Sequence, residues 1–63
     1  MTLHRRSMML FDVIVSRNGI RQCELARIFN IRQSVVETSL IYIAENIAPL
    51  SEDDNGNIAV FEG

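Results

Sequence analysis

The sequence predicts a mainly α fold with a small β-hairpin, and three observations predict it. Apolar residues recur at helical spacing in three separate stretches, residues 8–15, 25–29 and 36–43. Asn18-Gly19 and Asn30 stand between those stretches, and asparagine and glycine are the residues most at ease in the left-handed backbone that closes helices. After Asn46 the pattern changes to two short runs, 47–50 and 57–61, separated by Glu52-Asp53-Asp54-Asn55-Gly56. Asn-Gly between two such runs is a strong hairpin signal.

Taken in order, residues 1–6 read as a basic N-terminal arm carrying Arg5 and Arg6, and residues 7–61 as the folded domain. Ser7 is expected to start the first helix, its hydroxyl accepting a free amide of the first turn. Met8, Phe11, Ile14 and Val15 then line one side, with Leu10 and Val13 flanking, and Asn18-Gly19 ends the helix. The second helix is expected over 22–29, with Leu25, Ala26 and Phe29 on its inner face. Asn30 makes the turn and Ile31 plugs the corner. The third helix is expected over 33–46, where Val36, Leu40 and Ile43 give the i, i+4, i+7 stripe that packs back on the second. Ser34 with Glu37 three residues on offers a capping box if that helix starts a turn later. In the tail, Pro49 cannot donate to a ladder, so its strand belongs on an edge. Ile58 and Val60 share one face, Ala59 and Phe61 the other.

Sixty-three residues make one domain, and a core of this size hides only roughly 60% of the surface of the unfolded chain. Stability is therefore expected to be small, and a partner subunit would add to it. The 48% hydrophobic content and the wide stripe of the first helix point to a homodimer or to docking on a larger protein. The single cysteine, Cys23, excludes an intramolecular disulfide and is expected to be a small, half-buried, unreactive residue. The longest apolar run, 8–11, is too short to span a bilayer, and no secretory h-region follows the basic start. A soluble cytoplasmic protein without a membrane partner is the expectation.

Charge is divided along the chain. Residues 1–36 hold all six arginines (Arg5, Arg6, Arg17, Arg21, Arg27 and Arg32) against Asp12 and Glu24, a balance of +4. Residues 37–63 hold Glu37, Glu45, Glu52, Asp53, Asp54 and Glu62 and no base, a balance of −6. The molecule is electrically two-ended. Every positive group is a guanidinium, suited to bidentate contact with phosphate or carboxylate.

With these residues placed, the chain resembles a three-helix winged helix-turn-helix, over roughly residues 7–61. The similar layouts are the short regulators of fimbrial operons and the winged DNA-binding domains of the MarR and Lrp type. The resemblance implies a transcriptional regulator that binds double-stranded DNA, with its third helix in the major groove. It implies base reading by Gln33, Ser34, Glu37 and Thr38, and phosphate contacts from Arg5, Arg6, Arg21, Arg27 and Arg32. The chain departs from the pattern in three places. Thr38, Ile41 and Tyr42 stand where the third helix is usually basic. The wing carries Glu52, Asp53 and Asp54 where a base is usual. Val35, Ile41 and Tyr42 would form an apolar patch on a helix that ought to be solvated. An alternative follows from these: an interaction module that modulates a larger regulator or a polymerase through Val35, Ile41, Tyr42 and the acidic wing.

Nothing in the sequence supplies catalysis. There is no glycine-rich phosphate loop, nucleophile elbow or paired-carboxylate pocket, and His4 has no second ligand at metal spacing. Neither metal nor cofactor is expected, nor a small-molecule substrate, because a chain this short has little room for a sizeable cleft.

Overall fold

The computed structural model describes residues 2–62. Its first helix, α1, runs Leu3–Arg17, so the segment expected as a basic arm is helical from its third residue. The start is set by Thr2, whose hydroxyl accepts from the Arg5 amide at 3.2 Å. Ser7 is not a cap: it lies fully buried inside the helix. Asn18 closes α1 in the left-handed region (φ 53°) and Gly19 follows at φ 119°. Their amides return to the carbonyls of Val15 and Ile14.

Which face of α1 is buried also differs from the expected stripe. Ser7, Leu10 and Ile14 point into the core, while Met8 and Val15 are 38% and 54% exposed. A serine occupies a core position here, and hydrophobicity alone turns the helix away from it.

A two-residue strand, β1 (Ile20–Arg21), leads into α2 (Gln22–Phe29). Leu25 is fully buried, and Ala26 and Phe29 pack against the core from its margin. Asn30 turns the chain at φ 53°, and the Ile31 amide donates back to the Ala26 carbonyl at 3.0 Å. Ile31 then covers the edge of the core, as its position in the turn predicts.

Helix α3 spans Gln33–Asn46. The Ser34–Glu37 capping box does not form, because Arg32 is already the N-cap and its carbonyl accepts from the Val35 and Val36 amides. Ser34 therefore sits inside the first turn, where its own carbonyl accepts from the Thr38 hydroxyl at 3.1 Å. Val36, Ser39 and Ile43 are buried and Leu40 flanks them. The helix ends at Asn46, as its expected range has it, with Ile47 as the C-cap, and the Asn46 side chain donates to the Tyr42 carbonyl.

Two further strands, β2 (Leu50–Glu52) and β3 (Asn57–Val60), complete an antiparallel sheet in the order β1-β3-β2. The first hairpin strand starts later than the 47–50 run and extends into the acidic segment. Ile20 pairs with Ile58, and Leu50 with Val60. The hairpin closes between Asp53 and Asn57, with Gly56 at φ 83° and its amide donating to the Asp53 carbonyl. That is a three-residue loop with glycine in the left-handed position, not a two-residue Asn-Gly turn. Leu10, Ile14, Ile20, Leu25, Val36, Ile43 and Ile58 make one core, drawn from all three helices and two strands. The fold is thus mainly helical: three helices and a small three-stranded antiparallel sheet.

Candidate functional site

The corner at Asn30 brings together the end of α2 and the start of α3. Arg27, Arg32, Gln33 and Ser34 are all exposed there, one on the last turn of α2 and three around the first turn of α3. The left-handed Asn30 produces this juxtaposition, because it lets the chain reverse direction in few residues while Leu25 and Val36 stay in the core. No side chain caps α3. The first-turn amides of Gln33 and Ser34 have no carbonyl within the helix to bond to, and the exposed Arg32 precedes them in the chain. A helix start with an adjacent arginine is an anion-attracting surface.

Further along α3 the character changes. Glu37 and Thr38 are exposed on the outward side with Ser34. The Thr38 hydroxyl donates within its own helix, so it offers its methyl group and an acceptor lone pair to anything approaching. Ile41, 60% exposed, and Glu45 continue this side. The outer surface of α3 thus passes from cationic and polar at its N-terminal tip to acidic and apolar beyond Glu37.

The five arginines expected to meet phosphate are not equivalent. Arg6 donates from Nε to Ser39 Oγ at 3.0 Å and helps join α1 to α3. Arg5 is exposed on the first turn of α1, held in a helix rather than on an arm. Arg21 lies in β1 opposite Asn57 and acts on the Asp53 carboxylate of the hairpin loop. That carboxylate is held below its ordinary pKa mainly by the Asn57 amide, then by the Asn57 side chain, with smaller contributions from the Asn55 amide and Arg21. Arg27 and Arg32 are the two that stand at the corner between α2 and α3.

Val35, Ile41 and Tyr42 do not form one patch. Val35 and Tyr42, seven residues apart, share one flank of α3, and both are partly covered. Tyr42 meets α1 there: its hydroxyl lies 2.7 Å from His4 Nδ1, and the rings stand edge to face at 5.8 Å. Ile41 faces another way, across an open groove of about 230 Å³ between α3 and β2. His4, given no part on sequence grounds, is a packing partner that only the helical N-terminus reveals. Cys23, expected half-buried, is exposed on α2.

A second open groove of about 520 Å³ runs between α1 and β3, past Phe11, Val15 and Val60. It is larger than the short chain leads one to expect, and its lining is apolar apart from Asn18 and Glu62. Among the described residues no three His, Cys, Asp or Glu side chains converge as metal ligands. No helix among the described residues is long and apolar enough to cross a membrane. No family model, curated protein or solved structure matches this chain.

Proposed function

We propose that this protein is a winged helix-turn-helix regulator that binds double-stranded DNA through the N-terminal tip of α3. The element order and the β1-β3-β2 sheet are compatible with that layout. The observation that carries the reading is the exposed cluster of Arg27, Arg32, Gln33 and Ser34 around an uncapped helix start. In the major groove, Gln33 presents both a donor and an acceptor to adenine, and Ser34 can bond to either partner of a pair. Arg27 and Arg32 contact the flanking phosphates, with Arg5 as an outlying contact. Arg6 serves the fold, through Ser39, more than the interface; Arg21 is exposed in β1 and stays available to phosphate.

Charge limits how deeply α3 enters. Glu37 can accept from a cytosine amino group, but Glu45 and the wing carboxylates Glu52, Asp53 and Asp54 are repelled by phosphate. The tip of α3 therefore engages the groove, and the wing stays off the backbone. Few phosphates are neutralised, so affinity is modest and a second DNA-binding unit would be needed for tight binding.

Fluorescence anisotropy with a mixed-sequence duplex tests this reading. Affinity should fall as salt rises, and Arg32→Ala should reduce the salt slope by about 1. Binding that ignores salt, or an Arg32→Ala slope equal to that of the parent, would contradict it.

A further inference from the structure

We infer that the outer edge of β2, together with the groove beside Ile41, is a docking site for an extended basic segment of another protein. This goes beyond DNA binding and uses a different part of the surface. In the sheet order β1-β3-β2, β2 is an edge strand. The Phe61 amide donates to the Pro49 carbonyl, and the Asp53 amide to the Asn57 carbonyl. Antiparallel ladders alternate, so residues 49, 51 and 53 turn their polar backbone groups toward β3. Leu50 and Glu52 turn theirs outward. Two N–H and two C=O groups thus point away from the sheet, spaced to receive one more strand.

What lies beside that edge favours a particular strand. The groove of about 230 Å³ is walled by Leu40, Ile41 and Ala44 of α3 and by Leu50. Among the described residues Ile41 is the most exposed of the large apolar side chains. An added strand would place alternate side chains over this wall. The surroundings are mostly acidic, with Arg21 the base that reaches Asp53: Glu52 lines the groove, Glu37 and Glu45 stand one turn to either side of Ile41 on α3, and Asp53 and Asp54 follow the edge. No base occurs anywhere after Arg32.

Charge complementarity therefore selects an occupant with apolar residues alternating with arginine or lysine. A second copy of this chain is a poor one. Its matching edge carries the same carboxylates, which keep like edges apart. Its arginines at 5, 6, 17 and 27 are fixed in helices, Arg32 caps α3, and Arg21 lies in a strand of two residues, too short to run along β2 with alternating apolar and basic side chains. The occupant is a different chain that is extended or becomes so on docking.

The test is an NMR titration of the labelled protein with a synthetic peptide of alternating arginine and valine. A matched peptide with glycine in place of valine serves as a charge control. Shifts should centre on Ile41, Leu50, Ser51 and Glu52, and the Leu50 and Glu52 amides should gain protection from hydrogen exchange. Glu52→Lys and Ile41→Ser, both at exposed positions, should each weaken binding by about tenfold or more. N-methylating the valine peptide along its pairing edge should abolish the protection. Shifts spread over all the carboxylates with either peptide, without protection at Leu50 and Glu52, would overturn the proposal. So would Ile41→Ser or Glu52→Lys binding as well as the parent.

Discussion

Ser7 and Ser39 invite the same substitution with opposite outcomes. Both are fully buried, in α1 and α3. Ser39 Oγ accepts from Arg6 Nε at 3.0 Å, whereas Ser7 Oγ is buried without a partner. Alanine gains the same small helix propensity at either position, roughly 0.5 kcal/mol or less, so that contribution cancels when the two are compared. At Ser7 the change also removes a desolvated, unpaired hydroxyl, which costs about 1–3 kcal/mol to bury. At Ser39 it removes an acceptor from a guanidinium, worth about 1.5–3 kcal/mol when fully sheltered and less here because Arg6 is only partly buried. Ser7→Ala should thus stabilise the protein by roughly 1–2 kcal/mol, and Ser39→Ala should destabilise it by about 1 kcal/mol. For a domain of this size each kcal/mol moves Tm by roughly 4–8 °C. Urea unfolding followed by circular dichroism reads both directly. If Ser7→Ala is destabilising, or if the two variants move stability in the same direction by similar amounts, the assignment of bonding at the α1–α3 contact is wrong.

Other perturbations probe the remaining parts of the fold. Leu25→Ala opens a cavity at a fully buried site and should cost roughly 3 kcal/mol, a large share of the roughly 3–9 kcal/mol available to a chain of this length; denaturant midpoints measure it. Asn30→Ala forces alanine into the left-handed region and should cost about 1 kcal/mol, while Asn30→Gly should be close to neutral, by the same unfolding assay. Because the folded pKa of Asp53 is depressed, its contribution to the hairpin is complete above the ordinary aspartate pKa and is lost as pH falls through the lower folded value. The Asn55 and Asn57 amide resonances should report that loss in acid, and Asp53→Asn should remove the pH dependence. Gln33→Ala should leave the fold intact, cost roughly 1–3 kcal/mol of binding at the preferred DNA site and relax the choice of base at one position, as a binding-site selection would show.

The helical cores and the corner were legible because their signals are local. Leu25, Val36 and Ile43 sit at helical spacing, and Asn18 and Asn30 mark left-handed positions that few other residues tolerate. The α1 face was not, since Ser7 takes a core position and the cap at Thr2 moves the helix start almost a turn and a half toward the N-terminus. Strand β1 leaves no pattern, being only Ile20 and Arg21, and exists because Ile58 and Asn57 lie across from it. The polar residues expected at the DNA surface are exposed, but the roles of the arginines could not be sorted from their spacing. Arg6 bonds to Ser39, 33 residues away along the chain, and the charge of Arg21 is felt by Asp53 in the distant hairpin loop. The Val35–Ile41–Tyr42 grouping failed for a related reason: consecutive helix residues point about 100° apart, and His4 claims Tyr42 while the wing faces Ile41.

On the proposed function, the tip of α3 binds DNA while the β2–β3 hairpin stays off it. An NMR titration of the labelled protein with a short mixed-sequence duplex, at low and then moderate salt, tests it most directly. Shifts on Arg27, Arg32, Gln33 and Ser34 that fade as salt rises are expected, with Asp53 and Asp54 unmoved. A well-folded protein that shows no shifts at low salt, or shifts confined to the wing, would contradict it.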